Sequence, residues 1–226
     1  MRTILFPILI LLSNLSIAQF AIVADKDGFS NIRDSAGLGG KVVDTLHNGH
    51  FVYCFGTKEN WINIDYTKRK QELNAYVYHD RVKCVSDYEK IPTLSKYDSV
   101  FVKDSIKITI STQPFVRSKY HLTYFKDSPK YIQFINGKQY WGRDGGMPTT
   151  EYRSIRIILG NKEIVLPKAA TDNLYEPSIG TAQVNYDRKN DILYIQSSNS
   201  DGAGSYEVIW RVEKGIYTDR YIAYGF

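Results

Sequence analysis

The chain has 226 residues, enough for one large or two small domains with proper hydrophobic cores, and a formal charge of +5. That charge is spread thinly, with Lys68-Arg69-Lys70 as its only basic run, so the concentrated basic face needed for nucleic-acid binding is not predicted. Eighteen tyrosines and many Val and Ile residues favour pleated, half-buried surfaces and predict a mainly β protein.

Arg2 precedes an apolar run over residues 4–12 that is broken only by Pro7. Ser16-Ile17-Ala18 then places small residues at the two positions a signal peptidase reads. This pattern predicts a secretory signal peptide over 1–18 and export to a bacterial periplasm or beyond. The run is well short of the ~20 apolar residues of a spanning helix, so no integral membrane segment is expected. The first cysteine is Cys54, far from the cleavage site, which gives no support to a lipid anchor.

Residues 20–24 read as a first strand. A turn at Asp27-Gly28, alternation through Phe29, Asn31, Ile32 and Arg33, a Gly-rich loop over 35–40 and a strand over 41–46 follow. Asn48-Gly49 is a tight turn. Residues 50–55 alternate, with Val52 and Cys54 on one face and Phe51, Tyr53 and Phe55 on the other, the period of a strand with one buried side. Residues 61–65 and 75–78 repeat the pattern. The charged link 66–74 places the basic triplet at an exposed tip.

These landmarks, Asn31-Ile32-Arg33, Lys41-Val42-Val43, Asn48-Gly49, Trp61-Ile62-Asn63-Ile64 and Ala75-Tyr76-Val77, resemble a bacterial SH3-like (SH3b) domain over about residues 20–85, which predicts a barrel domain over 19–85. His79-Asp80-Arg81-Val82 resembles the turn and final strand that close such barrels. The chain departs from the pattern where Arg33-Asp34-Ser35-Ala36 lacks the usual loop proline and where Ala75 replaces a glycine. The resemblance implies binding of peptidoglycan or another envelope component. Ring faces suit sugars, and Arg supplies hydrogen bonds to hydroxyl, acetamido or carboxylate groups. By position, Arg33, Trp61, Tyr76 and Tyr78 are the candidate ligand residues. The competing reading is that Trp61 and one tyrosine fill the barrel core or its rim.

Cys54 and Cys84 are the only cysteines. In an exported chain the pair suggests a disulfide; the alternative is that Cys54 packs as a small hydrophobe. A polar, Pro92-containing stretch over 86–97 reads as a linker.

From 98 to 226 the chain again reads β. Strands are predicted at 98–103, 105–111, 120–125 and 131–135. A turn at Asn136-Gly137 leads into 138–141, and Gly160-Asn161 joins 154–159 to 162–166. Residues 167–175 read as a short helix or irregular turn, and strands at 181–186, 192–196, 206–212 and 217–224 complete the set. Short turns between strands predict an antiparallel sandwich or curved sheet. Two loops are candidate interaction sites, one through Trp141, Arg143 and Asp144, the other through Asn199 and Asp201. The second offers oxygen donors at alternate positions, but a calcium loop brings several carboxylates and a closing Glu; a turn is the expectation, with no metal and no cofactor.

The second region holds a single histidine, His121, and no Gly-x-Ser-x-Gly elbow. None of His47, His50, His79 and His121 makes a His-x3-His pair. A carboxylate pair such as Asp144 and Glu207 is the remaining catalytic option, for glycan hydrolysis. The sequence therefore predicts a non-enzymatic, exported two-domain protein with peptidoglycan or an envelope protein as partner. The rival reading is an inhibitor or immunity-type protein that occludes a secreted hydrolase or toxin.

Overall fold

The computed structural model describes residues 18–94 and 99–224. The predicted signal peptide, apart from Ala18, lies outside the described residues, as do positions 95–97 of the predicted linker. Among the described residues no helix is long and apolar enough to cross a membrane. The protein is mainly β, and every ladder between its named strands is antiparallel.

The first seven strands are β1 (Gln19–Val23), β2 (Phe29–Arg33), β3 (Val42–His47), β4 (Phe51–Lys58), β5 (Trp61–Lys68), β6 (Gln71–Tyr78) and β7 (Val82–Cys84). They form one curled sheet in the order β3-β2-β6-β5-β4-β1-β7, a half-barrel around Ala21, Ile32, Leu46, Val52, Ile64 and Val77. The 66–74 link is mostly strand. β5 and β6 run through it to a tip at Arg69 and Lys70, both with positive φ (50° and 67°). There Lys68 pairs with Asp44.

The remaining strands are β8 (Glu89–Ile91), β9 (Val100–Lys103), β10 (Ile106–Pro114), β11 (Leu122–Phe125), β12 (Ser128–Ile135), β13 (Thr150–Leu159), β14 (Lys162–Val165), β15 (Gln183–Asp187), β16 (Ile192–Asn199), β17 (Tyr206–Glu213) and β18 (Ile216–Tyr224). A five-stranded sheet, β18-β17-β16-β15-β8, packs on a four-stranded sheet, β14-β13-β10-β9, with β11-β12 as a separate hairpin. Trp210, Tyr152, Tyr206, Ile108 and Ile155 fill the space between the two larger sheets. The Trp210 indole N–H is satisfied by the Ala170 carbonyl at 2.6 Å, as a buried indole requires. Residues 138–141 do not continue the hairpin as a strand. After the turn at Asn136 and Gly137 (φ 52° and 72°) the chain makes one bridge, Ile135 to Lys138, and enters a loop.

The alternation in β4 is real, but both of its faces are buried. Val52 and Cys54 point into the half-barrel. Phe51 and Tyr53, with Phe20 and Ile22 of β1, pack on Tyr194, Ile209, Tyr221 and Ala223 of the five-stranded sheet. Phe51 stacks on Tyr221 (6.5 Å between centroids, 12° between planes), and the Arg211 guanidinium lies 4.8 Å from the Phe51 centroid. Burying each such apolar side chain is worth roughly 1.5–3 kcal/mol, so this contact joins the two halves firmly. The stretch read as a linker takes part in the second half. Val85 is fully buried in the joint, and β8 forms an edge of the five-stranded sheet through the pair Val184–Ile91.

Cys54 and Cys84 are free thiols. β1 lies between their strands, facing Cys54 with Gln19 and Cys84 with Ala21. Two strand spacings of ~4.8 Å exceed the roughly 7 Å Cα separation that a disulfide spans. Burial pushes the Cys54 thiol up to about 12, in keeping with a small core hydrophobe.

Candidate functional site

The outer face of β2 and the ends of β5 and β6 frame a groove of about 450 Å3 on the half-barrel. Because strand side chains alternate, Ile32 turns into the core while Phe29, Asn31 and Arg33 face the groove, which the buried Ser30 also lines. Trp61, at the start of β5, pairs in register with Tyr78, at the end of β6, and their rings meet edge to face at 5.4 Å. The Arg33 guanidinium caps the Trp61 ring at 5.7 Å. Trp61 is buried, 7% exposed, at the rim of the half-barrel and outside the cluster that fills its interior, as the competing reading of this residue expects; Arg33 and Tyr78 cover it.

The groove rim is fixed by polar contacts. Arg33 donates to the Gly40 carbonyl, and Asp34 accepts from the Lys41 N–H at 2.9 Å. The 35–40 loop is thereby closed without the proline that would otherwise restrain it. Asp25 receives Arg81 Nη1 on both carboxylate oxygens at 2.8 Å and the Asp27 N–H at 2.9 Å. Asn48 clamps the Asp25 backbone in both directions, at 2.8 and 2.7 Å. The Asp27 N–H first, and then Arg81, hold the Asp25 carboxyl below its ordinary value against the opposing effect of burial. Arg81 also meets Asp80 at 2.9 Å and Asp27 at 3.8 Å. Two arginines, two aspartates and three rings thus surround one opening.

Of the four residues expected to bind ligand, the fold gathers Arg33, Trp61 and Tyr78. Tyr76 lies on the same outward face of β6, opposite Arg33 and Asn63 in register, and does not line the groove. Sequence reasoning missed Asp25, Arg81, Phe29 and Leu38. Only the Asp27-Gly28 turn signal hinted that this loop was shaped, and nothing local ties Asp25 to Arg81.

The two candidate loops of the second half meet each other. The Gly142 N–H donates to the Gly204 carbonyl at 3.1 Å, and Ser200 Oγ donates to the Gly142 carbonyl at 2.7 Å. Neither glycine has room for a side chain of its own at this crossing. A Cβ on Gly142 (φ 107°) would sit 2.1 Å from the Tyr175 carbonyl oxygen, and one on Gly204 would sit 2.9 Å from the Arg143 nitrogen. Trp141, Arg143 and Asp144 line a second groove beside them. Asn199 does not. It is buried, and its Oδ1 accepts from Tyr152 Oη, the Ser178 N–H and Ser197 Oγ at 2.9–3.0 Å, which makes it a core polar anchor. Asp201 is exposed at the loop tip and lines neither groove.

Among the described residues no group of three or more His, Cys, Asp or Glu could hold a metal ion. Asp144 and Glu207 line different cavities. Glu207 faces one between the two halves with Gln19, Tyr53, Gln183 and Gln196, where burial raises its carboxyl above the ordinary value. The fold does not unite them as an acid–base pair. Neither family models, nor characterised proteins, nor solved structures provide a match to this chain.

Proposed function

We propose that this is a non-catalytic binding protein of the bacterial cell envelope, exported through its N-terminal signal and engaging peptidoglycan through the half-barrel groove. The observation that carries this reading is the convergence of Arg33, Trp61 and Tyr78 in one opening with Asp25 and Arg81. The guanidinium and carboxylate groups suit the charged stem peptide of peptidoglycan, and the rings suit an adjoining sugar. The order of the SH3b-like landmarks supports the same ligand class.

The test is co-sedimentation of the protein with purified peptidoglycan, repeated for an Arg33→Ala/Tyr78→Ala variant. Both positions are only half-buried, so the variant should fold, as circular dichroism will check. Loss of two polar and ring contacts is expected to weaken binding at least tenfold, about 1.4 kcal/mol or more. A parent protein that stays in the supernatant would overturn the proposal.

A further inference from the structure

The second groove, between the β11–β12 hairpin and the loops 141–147 and 200–205, has a volume of about 590 Å3. That lies within the roughly 300–1,000 Å3 typical of ligand sites. Its rim exposes large rings. Phe125, Tyr131 and Tyr224 are 44%, 43% and 49% accessible, and Trp141 meets Tyr224 edge to face at 4.8 Å. Single exposed rings are ordinary on a protein surface, but several converging on one concavity mark a binding site. The Lys130 ammonium rests 4.9 Å from the Tyr131 centroid; it is a flexible, exposed side chain that a ligand ring can displace.

Ser128, Gln133 and Gln139 also line the groove. Among the described residues their side chains hydrogen-bond to no other group. They offer neutral donors and acceptors at once. The two charged residues of the lining, Arg143 and Asp144, are of opposite sign and adjacent, and Arg143 is met by Glu176 at 3.3 Å. Flat ring faces interleaved with neutral amides and a hydroxyl match a pyranose, whose C–H face is apolar and whose edge both donates and accepts hydrogen bonds. A peptide added as a strand is poorly served here. The β12 edge is already used, with the Ile132 N–H donating to the Gly145 carbonyl at 2.7 Å and Ile135 bridged to Lys138.

We propose that this groove is a second binding site and that its ligand is an uncharged oligosaccharide. The site stands independently of the half-barrel reading. Its floor is pre-formed, since the Gly142–Gly204 backbone crossing, where neither glycine has room for a Cβ, holds the two loops together, which lowers the ordering cost of binding.

The experiment is calorimetric titration of the whole protein with the hexamer of β-1,4-linked N-acetylglucosamine, and separately with the hexamer of β-1,4-linked glucose. Saturable binding to at least one is expected. Tyr131→Ala should weaken it about tenfold, the effect of losing one stacked ring. Gln133→Ala/Gln139→Ala should weaken it several-fold, while Arg33→Ala/Tyr78→Ala leaves it unchanged. Absence of binding to both hexamers overturns the proposal, as does undiminished binding by a folded Tyr131→Ala protein or displacement of the sugar by short peptides. Loss in the half-barrel variant would assign the sugar to the first groove and also overturn it. Because these probes carry no peptide, their failure leaves the half-barrel test standing.

Discussion

The two grooves use similar ring surfaces but are held open in different ways. The half-barrel groove is organised by charge, with Asp25 gripping Arg81, and Arg33 spread over Trp61 while holding the 35–40 loop. The groove of the second half is organised by backbone contact, at a crossing where two glycines leave no room for a Cβ. The difference teaches which perturbations each should feel. Side-chain truncation, salt and acid act on the first, whereas added side-chain volume at the loop crossing acts on the second.

The largest expected effect comes from Trp61→Ala. Trp61 is buried beneath Arg33 and Tyr78, so its removal should cost about 3 kcal/mol in urea unfolding, the low end for buried Trp. Oligosaccharide binding by the remaining folded protein should be unaffected. Gly142→Val is the converse. With its Cβ forced towards the Tyr175 carbonyl, it should cost about 2–3 kcal/mol and abolish binding in the second groove while sparing the first. A smaller contrast is ionic. Raising salt from about 0.1 M to about 1 M shortens the screening length from roughly 10 to roughly 3 Å. Titrations should show weaker muropeptide binding in the half-barrel and unchanged oligosaccharide binding.

Acid sharpens the comparison further. Asp25 is held low in the folded protein, so its contribution to stability is fully present above about pH 3.9 and is lost as pH falls through its folded value. Asp25→Asn should flatten the stability curve in that acid window, measured by urea unfolding. His50 gives the smallest effect. Burial, opposed by its contact with the Thr67 carbonyl at 3.1 Å, lowers its value. The folded chain then binds fewer protons than the unfolded one, and stability declines as pH drops from about 6.5 towards the folded value. His50→Gln should remove that slope.

Much of this architecture was legible in the residue order, because strand alternation and turn chemistry are local. The alternation of Phe51 to Phe55 located β4, and Asn48-Gly49 located the turn before it. What covers Phe51 and Tyr53 was not legible, since their partners, Tyr194, Ile209 and Tyr221, belong to a distant part of the chain. β8 was invisible for the same reason. Three residues in a polar stretch carry no periodicity, and only pairing with β15 makes them a strand. The resemblance picked out three residues that line the groove, whereas Asp25 and Arg81 meet only once β1 and the turn after β6 are side by side. Asn199 shows the opposite failure. Its loop-like neighbourhood suggested an accessible oxygen, but it is an internal hydrogen-bond acceptor for Tyr152.

The three tryptophans give the most direct measurement. Trp61 sits in the half-barrel groove, Trp141 in the second groove and Trp210 in the closed core. Their indole N–H signals can be followed by nitrogen-15 NMR while soluble disaccharide-peptide fragments of peptidoglycan are added. A saturable shift of the Trp61 signal is expected, with Trp210 unmoved. A Trp61 signal that stays in place at saturating fragment would contradict binding in the half-barrel groove.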